Sequence, residues 1–137
     1  MKFLFSFLFL LNFKQSNAQT VNWTNTANWK LYAIRKSAAL RYSSDTLKFF
    51  PFVVLPNDSV LIFLKALRPL PAEKAGVWMG AFIATCERNN RICKIDISMY
   101  GGFLYDEREK AYYELPPSKR DEWIDYLNRI LERVPYK

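Results

Sequence analysis

The segment VWMGAFIATCERNNRICKIDISMY, residues 77–100, decides the fold of this 137-residue chain. Two runs of strand-forming residues flank Asn89 and Asn90, and asparagine tolerates the positive φ that a two-residue hairpin turn requires. A turn centred there places uncharged pairs on one face: Cys86 with Cys93, Ala84 with Ile95, Phe82 with Ile97, and Gly80 with Met99. The opposite face is mixed and pairs Thr85 with Lys94, Ile83 with Asp96, and Ala81 with Ser98. Because a shift of one residue destroys this separation, the uncharged face is predicted to be core.

A second hairpin is predicted after the glycine pair at 101–102, which indicates a turn or a bulge. Its strands, residues 103–106 and 110–115, flank the loop Glu107-Arg108-Glu109. Favourable cross-strand pairing sets the register. The expected pairs are Asp106 with Lys110 and Phe103 with Tyr113.

The C-terminal segment predicts an amphipathic helix over about residues 119–133. Ser118 precedes it as a capping residue and Pro135 ends it. Apolar residues recur at helical spacing and form one stripe that faces the sheet. They are Trp123, Leu127, Ile130 and Val134.

The N-terminal half is less regular. Residues 46–50 follow a Ser-Asp cap and are stopped by Pro51, which favours a short helix. Residues 59–67 follow Asn57 and Asp58 and are predicted to be helical, although a buried strand would also fit. Residues 29–35 fit either a strand or a helical turn. The predicted fold is therefore α+β: a C-terminal antiparallel β-meander of two hairpins, packed by a terminal amphipathic helix, with one or two short helices in the N-terminal half.

The first 18 residues have the pattern of a cleavable signal peptide. A lysine at position 2 precedes an apolar run at 3–13, and Ser16-Asn17-Ala18 is a small-x-small cleavage pattern. The run is shorter than the roughly 20 residues that span a bilayer, and no later segment of the sequence reaches that length. We therefore expect cleavage between Ala18 and Gln19. The product would be a periplasmic or secreted single domain, residues 19–137, with no transmembrane span.

Composition excludes several chemistries. The chain has no histidine, which removes Ser-His-Asp and Cys-His nucleophile pairs and histidine-ligated zinc. Its four glycines lack the spacing of a phosphate-binding loop, so no cofactor is expected. The expected mature part holds 18 of the 20 basic residues and all 13 acids, a net charge of +5. That charge attracts anionic partners without specificity, and no dense basic run predicts a specific nucleic-acid site.

Two cysteines and a cluster of aromatic residues are the candidate sites. In an exported protein, Cys86 and Cys93 facing across a hairpin are expected to form a disulfide. A four-residue loop, Arg88 to Arg91, would place them at a non-hydrogen-bonded pair, which suits a bridge better, whereas a strict two-residue turn would place them at a hydrogen-bonded pair. The second hairpin offers rings that stack on sugars or bases, with nearby cations for an anionic group. These candidate ligand-binding residues are Tyr100, Tyr105, Arg108, Lys110 and Tyr112; the alternative is that the rings pack under the final helix.

We therefore expect an exported, noncatalytic binding or interaction domain. Its partner would be a glycan, a lipid head group, another envelope component or another exported protein. One alternative is a small hydrolase using carboxylates, for which Asp96 and the cluster Asp106, Glu107 and Glu109 are the candidates. The other is a peripheral binder of anionic surfaces, which requires four basic residues to share a face. They are Lys30, Arg35, Lys36 and Arg41.

Overall fold

The computed structural model describes residues 22–34, 43–76, 80–98 and 102–134. The elements in chain order are a 3-10 helix (Trp23–Asn25), β1 (Ala27–Tyr32), α1 (Ser44–Leu47), β2 (Phe52–Val54), α2 (Asn57–Leu64), β3 (Arg68–Leu70), α3 (Ala72–Ala75), β4 (Gly80–Arg88), β5 (Arg91–Ser98), β6 (Phe103–Asp106), β7 (Ala111–Glu114) and α4 (Pro117–Leu131). The strands form one antiparallel sheet in the order β2-β1-β4-β5-β6-β7-β3. The predicted α+β class is confirmed, and so is the meander of β4 to β7.

The first hairpin has the predicted turn. Asn89 and Asn90 have φ of 53° and 60°, the left-handed values that a type I′ turn needs. Cys86 faces Cys93, and the predicted pairing continues through Phe82 and Ile97. Beyond that point the prediction is wrong, because a bulge between Gly80 and Phe82 brings Gly80 opposite Ser98. Met99 lies outside the described residues.

The second hairpin is shifted by one residue from the predicted register. Phe103 faces Glu114 and Asp106 faces Ala111, so the loop has four residues, 107–110. Asp106 specifies this loop, because its Oδ1 atom accepts hydrogen bonds from the backbone N–H groups of Arg108 and Glu109 at 3.0 and 3.1 Å. Lys110 closes the loop with φ of 53°. As a consequence, Tyr105 and Tyr112 become cross-strand neighbours.

A glycine is required where β6 begins. Gly102 has φ of 61°, and a Cβ there would lie 2.9 Å from Cγ of Arg120 and 3.2 Å from Cβ of Leu115. Its carbonyl accepts a hydrogen bond from the N–H of Leu115 at 2.9 Å. An added side chain would therefore have to displace Arg120 and Leu115 and would also strain the left-handed backbone.

Helices α2 and α4 cover one face of the sheet, which we call the first face. The predicted apolar stripe of α4 is buried, and the rings of Trp123 and Phe63 lie 4.8 Å apart between the two helices. They pack on Leu31, Ile95 and other first-face residues in one continuous core. Truncating Trp123 to alanine would cost about 3–5 kcal/mol. The predicted capping by Ser118 is wrong: α4 begins at Pro117, whose fixed φ suits the first helical position, and Pro116 precedes it.

The N-terminal half supplies helices and edge strands. Helices α1 and α2 lie where two short helices were predicted, but each begins two residues earlier. The predicted caps are therefore wrong, because Ser44-Asp45 and Asn57-Asp58 form the first turns of these helices. The ambiguous segment that begins at Trp29 contributes to strand β1. Strands β2 and β3 and helix α3 were not predicted. The signal segment, with Ala18 and Gln19, lies outside the described residues.

Candidate functional site

The sheet face turned away from α4, which we call the second face, carries polar and charged side chains as well as apolar ones. Alternation along the strands puts Lys30, Thr85, Lys94, Asp96 and Tyr105 on it. Helix α1 covers part of this face through a small cluster of Tyr32, Leu47 and Ile83. The predicted mixture of polar and apolar residues is present, and several of the polar ones are buried.

A groove opens on this face beside β2, and we call it the lysine groove. It encloses about 210 Å³ and is lined by Asn28, Lys30, Tyr32, Lys48, Phe52, Thr85, Glu87 and Ile92, together with Cys86. Tyr32 and Thr85 join their hydroxyl groups at 3.3 Å. Asn28 donates a hydrogen bond from Nδ2 to Oε2 of Glu87 at 2.9 Å, which holds that carboxylate.

The two lysines of the groove contact rings rather than acids. Lys30 Nζ lies 4.7 Å from the ring centre of Phe52, and Lys48 Nζ lies 5.2 Å from that of Phe49. Within the described residues, neither ammonium is within 4.0 Å of a carboxylate. The groove therefore has two cations and one carboxylate, and its net charge is positive.

Two exposed apolar side chains line the same groove, and a third lies beside it. Large hydrophobic residues exposed in the described part are Phe49, Phe52, Val54, Ile62 and Ile92, with exposures between 44% and 79%. Phe52 and Ile92 line the groove, and Val54 lies opposite Lys30 in the strand pairing. Exposed apolar area of this kind, when clustered, marks a surface that binds something.

The predicted tyrosine site is partly assembled. Tyr105 and Tyr112 are half-buried on the second face with ring centres 4.6 Å apart. Burial raises the pKa of Tyr105, and Tyr112 raises it further. Lys110 and Tyr112 share a second groove of about 310 Å³ with residues 69–72. Arg108 is exposed in the adjoining loop, and Tyr100 lies outside the described residues, so ligand binding by this set stays a prediction.

Between the two grooves lies a buried charged cluster. Lys94 Nζ is 3.3 Å from Oδ1 of Asp96 and 2.9 Å from Oε2 of Glu107. Lys94 and Asp96 are 5% and 3% exposed, whereas Glu107 reaches solvent. Burial raises the pKa of Asp96 to about 6 against the attraction of Lys94, and Glu107 raises it as well. One ammonium therefore holds two carboxylates, of which the inner one ionises with difficulty.

A second buried ion pair lies at the end of the first face. Arg88 Nη1 is 2.8 Å from Oδ2 of Asp106, which is fully buried, and Arg88 Nη2 is 3.6 Å from Oε1 of Glu109. The indole ring of Trp23 lies 5.8 Å from Cζ of Arg88. Since Asp106 also caps the loop, this pair ties the first hairpin to the second.

Cys86 and Cys93 face each other as predicted, but the predicted disulfide is absent and both thiols are free and buried. The reason is the strict two-residue turn. Arg88 and Arg91 close the hairpin as a hydrogen-bonded pair, so two residues further along Cys86 and Cys93 are again a hydrogen-bonded pair. The Cβ atoms of such a pair lie about 5.5 Å apart, beyond the roughly 3.5–4.5 Å that a disulfide needs. Burial raises the pKa of the Cys86 thiol to about 12, so it stays protonated.

The acids that were candidates for hydrolysis are not paired in either described groove. Neither groove of the described residues is lined by two acids, since Glu87 is the single carboxylate of the lysine groove and the second groove has none. Asp96, Asp106, Glu107 and Glu109 are each bound to a cation instead. In the same part of the chain, no cluster of three histidine, cysteine or acidic residues is placed to hold a metal ion.

No protein-family model, no curated protein and no solved structure matches this chain. Over the described ranges, no helix has both the length and the apolar character needed to cross a membrane. Function must therefore be inferred from the residues themselves.

Sequence reasoning missed the lysine groove. It grouped Lys30 with Arg35, Lys36 and Arg41 as a site for anionic surfaces. Arg35, Lys36 and Arg41 lie outside the described residues. The groove is built from three separate segments, so spacing along the chain does not reveal it. One signal was present: Lys48 precedes the apolar run from Phe49 to Leu55, which no helical or alternating pattern explains.

Proposed function

We propose that this protein is an exported, noncatalytic binding domain and that its ligand occupies the lysine groove. One observation carries the proposal: within the described residues, two lysines without carboxylate partners and two exposed apolar side chains, Phe52 and Ile92, line one groove of the second face. Export is supported by the basic start, the apolar run at 3–13 and the small residues before Gln19.

The chemistry of the groove defines the ligand class. Lys30 and Lys48 favour an anionic group, the hydroxyls of Tyr32 and Thr85 supply hydrogen bonds, and Phe52 supplies an apolar wall. A ligand that joins a carboxylate or phosphate to an apolar portion satisfies all three. The volume of about 210 Å³ admits one such group rather than a large ring system.

Hexanoate is a suitable probe, with hexanol and hexylamine as controls of equal chain length. Amide chemical-shift mapping of the purified protein should show that hexanoate perturbs the residues lining the groove, and that hexanol does so less and hexylamine least. The proposal would be refuted if the perturbations lie elsewhere, if none occur, or if hexanol and hexanoate perturb the groove equally.

Matched variants test the lysines. Lys30→Met and Lys48→Met keep an unbranched apolar side chain and remove the charge, and each should weaken hexanoate binding about threefold. Lys65→Met removes the same charge from an exposed position after α2 and should leave binding unchanged. Equal weakening by all three would show that only net charge matters.

The tyrosine pair supports a second candidate, binding of a glycan or another envelope component. The supporting observation is the half-buried Tyr105–Tyr112 pair on the same face as the groove that contains Lys110. Titration with a neutral and a sulfated oligosaccharide distinguishes binding at the Tyr105–Tyr112 pair from binding in the lysine groove. Shifts at Tyr105 and Tyr112 would support this second candidate, and their absence at millimolar sugar would exclude it.

A further inference from the structure

The two edges of the sheet are protected differently. Edge strand β3 reads Arg68-Pro69-Leu70, and its central proline and its charge discourage further pairing. Edge strand β2 reads Phe52-Val53-Val54, with neither a charge nor a proline inside it. Within the described residues, β2 pairs with β1 alone. Among the described residues, short length is the one edge protection that β2 has.

The hydrogen-bond ladder shows which backbone groups of β2 face outward. Leu55 donates its N–H to the carbonyl of Trp29 at 2.9 Å, and Ala33 donates to the carbonyl of Pro51 at 3.1 Å. In an antiparallel pair, alternate residues bond inward. The N–H and C=O groups of Phe52 and Val54 therefore point away from β1, towards the open edge.

Side chains at this edge are also exposed, so that an added strand could contact them. Phe52 is 44% exposed and Val54 is 59% exposed, both on the second face. Lys30 of β1 places its Nζ atom 4.7 Å from the ring centre of Phe52, so a cation lies beside a side chain of the edge strand. An added strand would meet apolar side chains and a cation on that face.

We propose that β2 binds an extended acidic segment of another protein as an eighth, antiparallel strand of the sheet. This deepens the proposed function and rests on it, because β2 is one wall of the lysine groove. If the added strand runs antiparallel to β2, the partner residues that hydrogen-bond to β2 lie opposite Phe52 and Val54. The side chains of those partner residues then lie on the second face. Acidic side chains there would reach Lys30 and Lys48.

Charge favours this occupant over a second copy of the chain. Two copies joined through β2 would bring their positively charged grooves together at one edge, and like charges would repel. An acidic segment meets the same surface with opposite charge.

The probe is a five-residue peptide with acetyl and amide ends and the sequence Val-Glu-Val-Glu-Val. In the antiparallel arrangement, its glutamate N–H groups bond to β2 and its central valine N–H points away. N-methylation of both glutamates should weaken binding at least tenfold, whereas N-methylation of the central valine should change it less than twofold. Lys30→Met should weaken the unmodified peptide about fivefold, and Lys65→Met should not.

The outcomes separate the two proposals. Equal effects of both methylations would overturn strand addition, while hexanoate binding in the groove would leave the proposed function intact. Failure of hexanoate and peptide alike would overturn both. Sedimentation velocity of the protein alone should give a monomer; a dimer abolished by Phe52→Lys would identify a second copy as the occupant and overturn the acidic segment.

Discussion

Replacing Asp96 by asparagine should alter the pH dependence of stability in a defined window. The carboxyl is 3% exposed, and burial raises its pKa from 3.8 to about 6. Lys94 opposes this rise but does not cancel it, while Glu107 adds to it. At about 1.4 kcal/mol for each tenfold change in proton affinity, ionising Asp96 costs the fold about 3 kcal/mol.

The direction in which stability changes with pH follows from proton binding to Asp96. Between about pH 4 and pH 6, the folded protein holds the Asp96 proton and the unfolded chain has released it, so stability contributed by this residue falls as pH rises. Below about pH 4 both states are protonated, and above about pH 6 both are ionised and the full cost is present. Asparagine never ionises and avoids the cost.

Urea unfolding of the wild type and Asp96→Asn at intervals from pH 3.5 to pH 8 measures this directly. The difference in unfolding free energy should be constant below about pH 4, shift by about 3 kcal/mol in favour of the variant up to pH 6, and then level off. Asp125→Asn, an exposed control on α4, should run parallel to the wild type. A parallel curve for Asp96→Asn would refute the assignment.

Three further predictions concern the buried polar groups. Lys94→Met should destabilise the fold by about 3 kcal/mol at pH 8 and by less at pH 5, where Asp96 can be neutralised by a proton; urea unfolding at both values checks this. Asp106→Ala should cost about 3–5 kcal/mol by thermal unfolding, and Asp106→Asn less, because the amide oxygen can still cap the loop. Without reductant, Cys86 and Cys93 should resist maleimide at pH 8 in the native protein and give two adducts in urea by mass spectrometry; no adduct in urea would mean a disulfide.

The first hairpin could be predicted because local and global signals agree there. The turn at Asn89 and Asn90 and the alternation around Cys86 each require the same register. The second hairpin lacked that agreement. Its register depends on the side chain of Asp106, which selects a four-residue loop with Lys110 at positive φ, and lysine gives no sequence signal for that conformation.

The edge strands could not be predicted from local pattern. Each has three residues, so neither carries a measurable alternation, and each forms through pairing with a strand distant in sequence. Because β2 forms one wall of the lysine groove, the groove could not be predicted without it. Burial of Lys94 and Asp96 could not be predicted either. A sheet face with both polar and apolar residues is normally exposed to solvent, whereas these two polar residues are buried.

In the proposed function, Lys30 and Lys48 give the groove its preference for anions. The most direct measurement is the ratio of hexanoate affinity to hexanol affinity in the wild type and in the Lys30→Met, Lys48→Met double variant. We expect a ratio of about ten that falls to about one in the double variant, a change of about 1.4 kcal/mol. An unchanged ratio would contradict it.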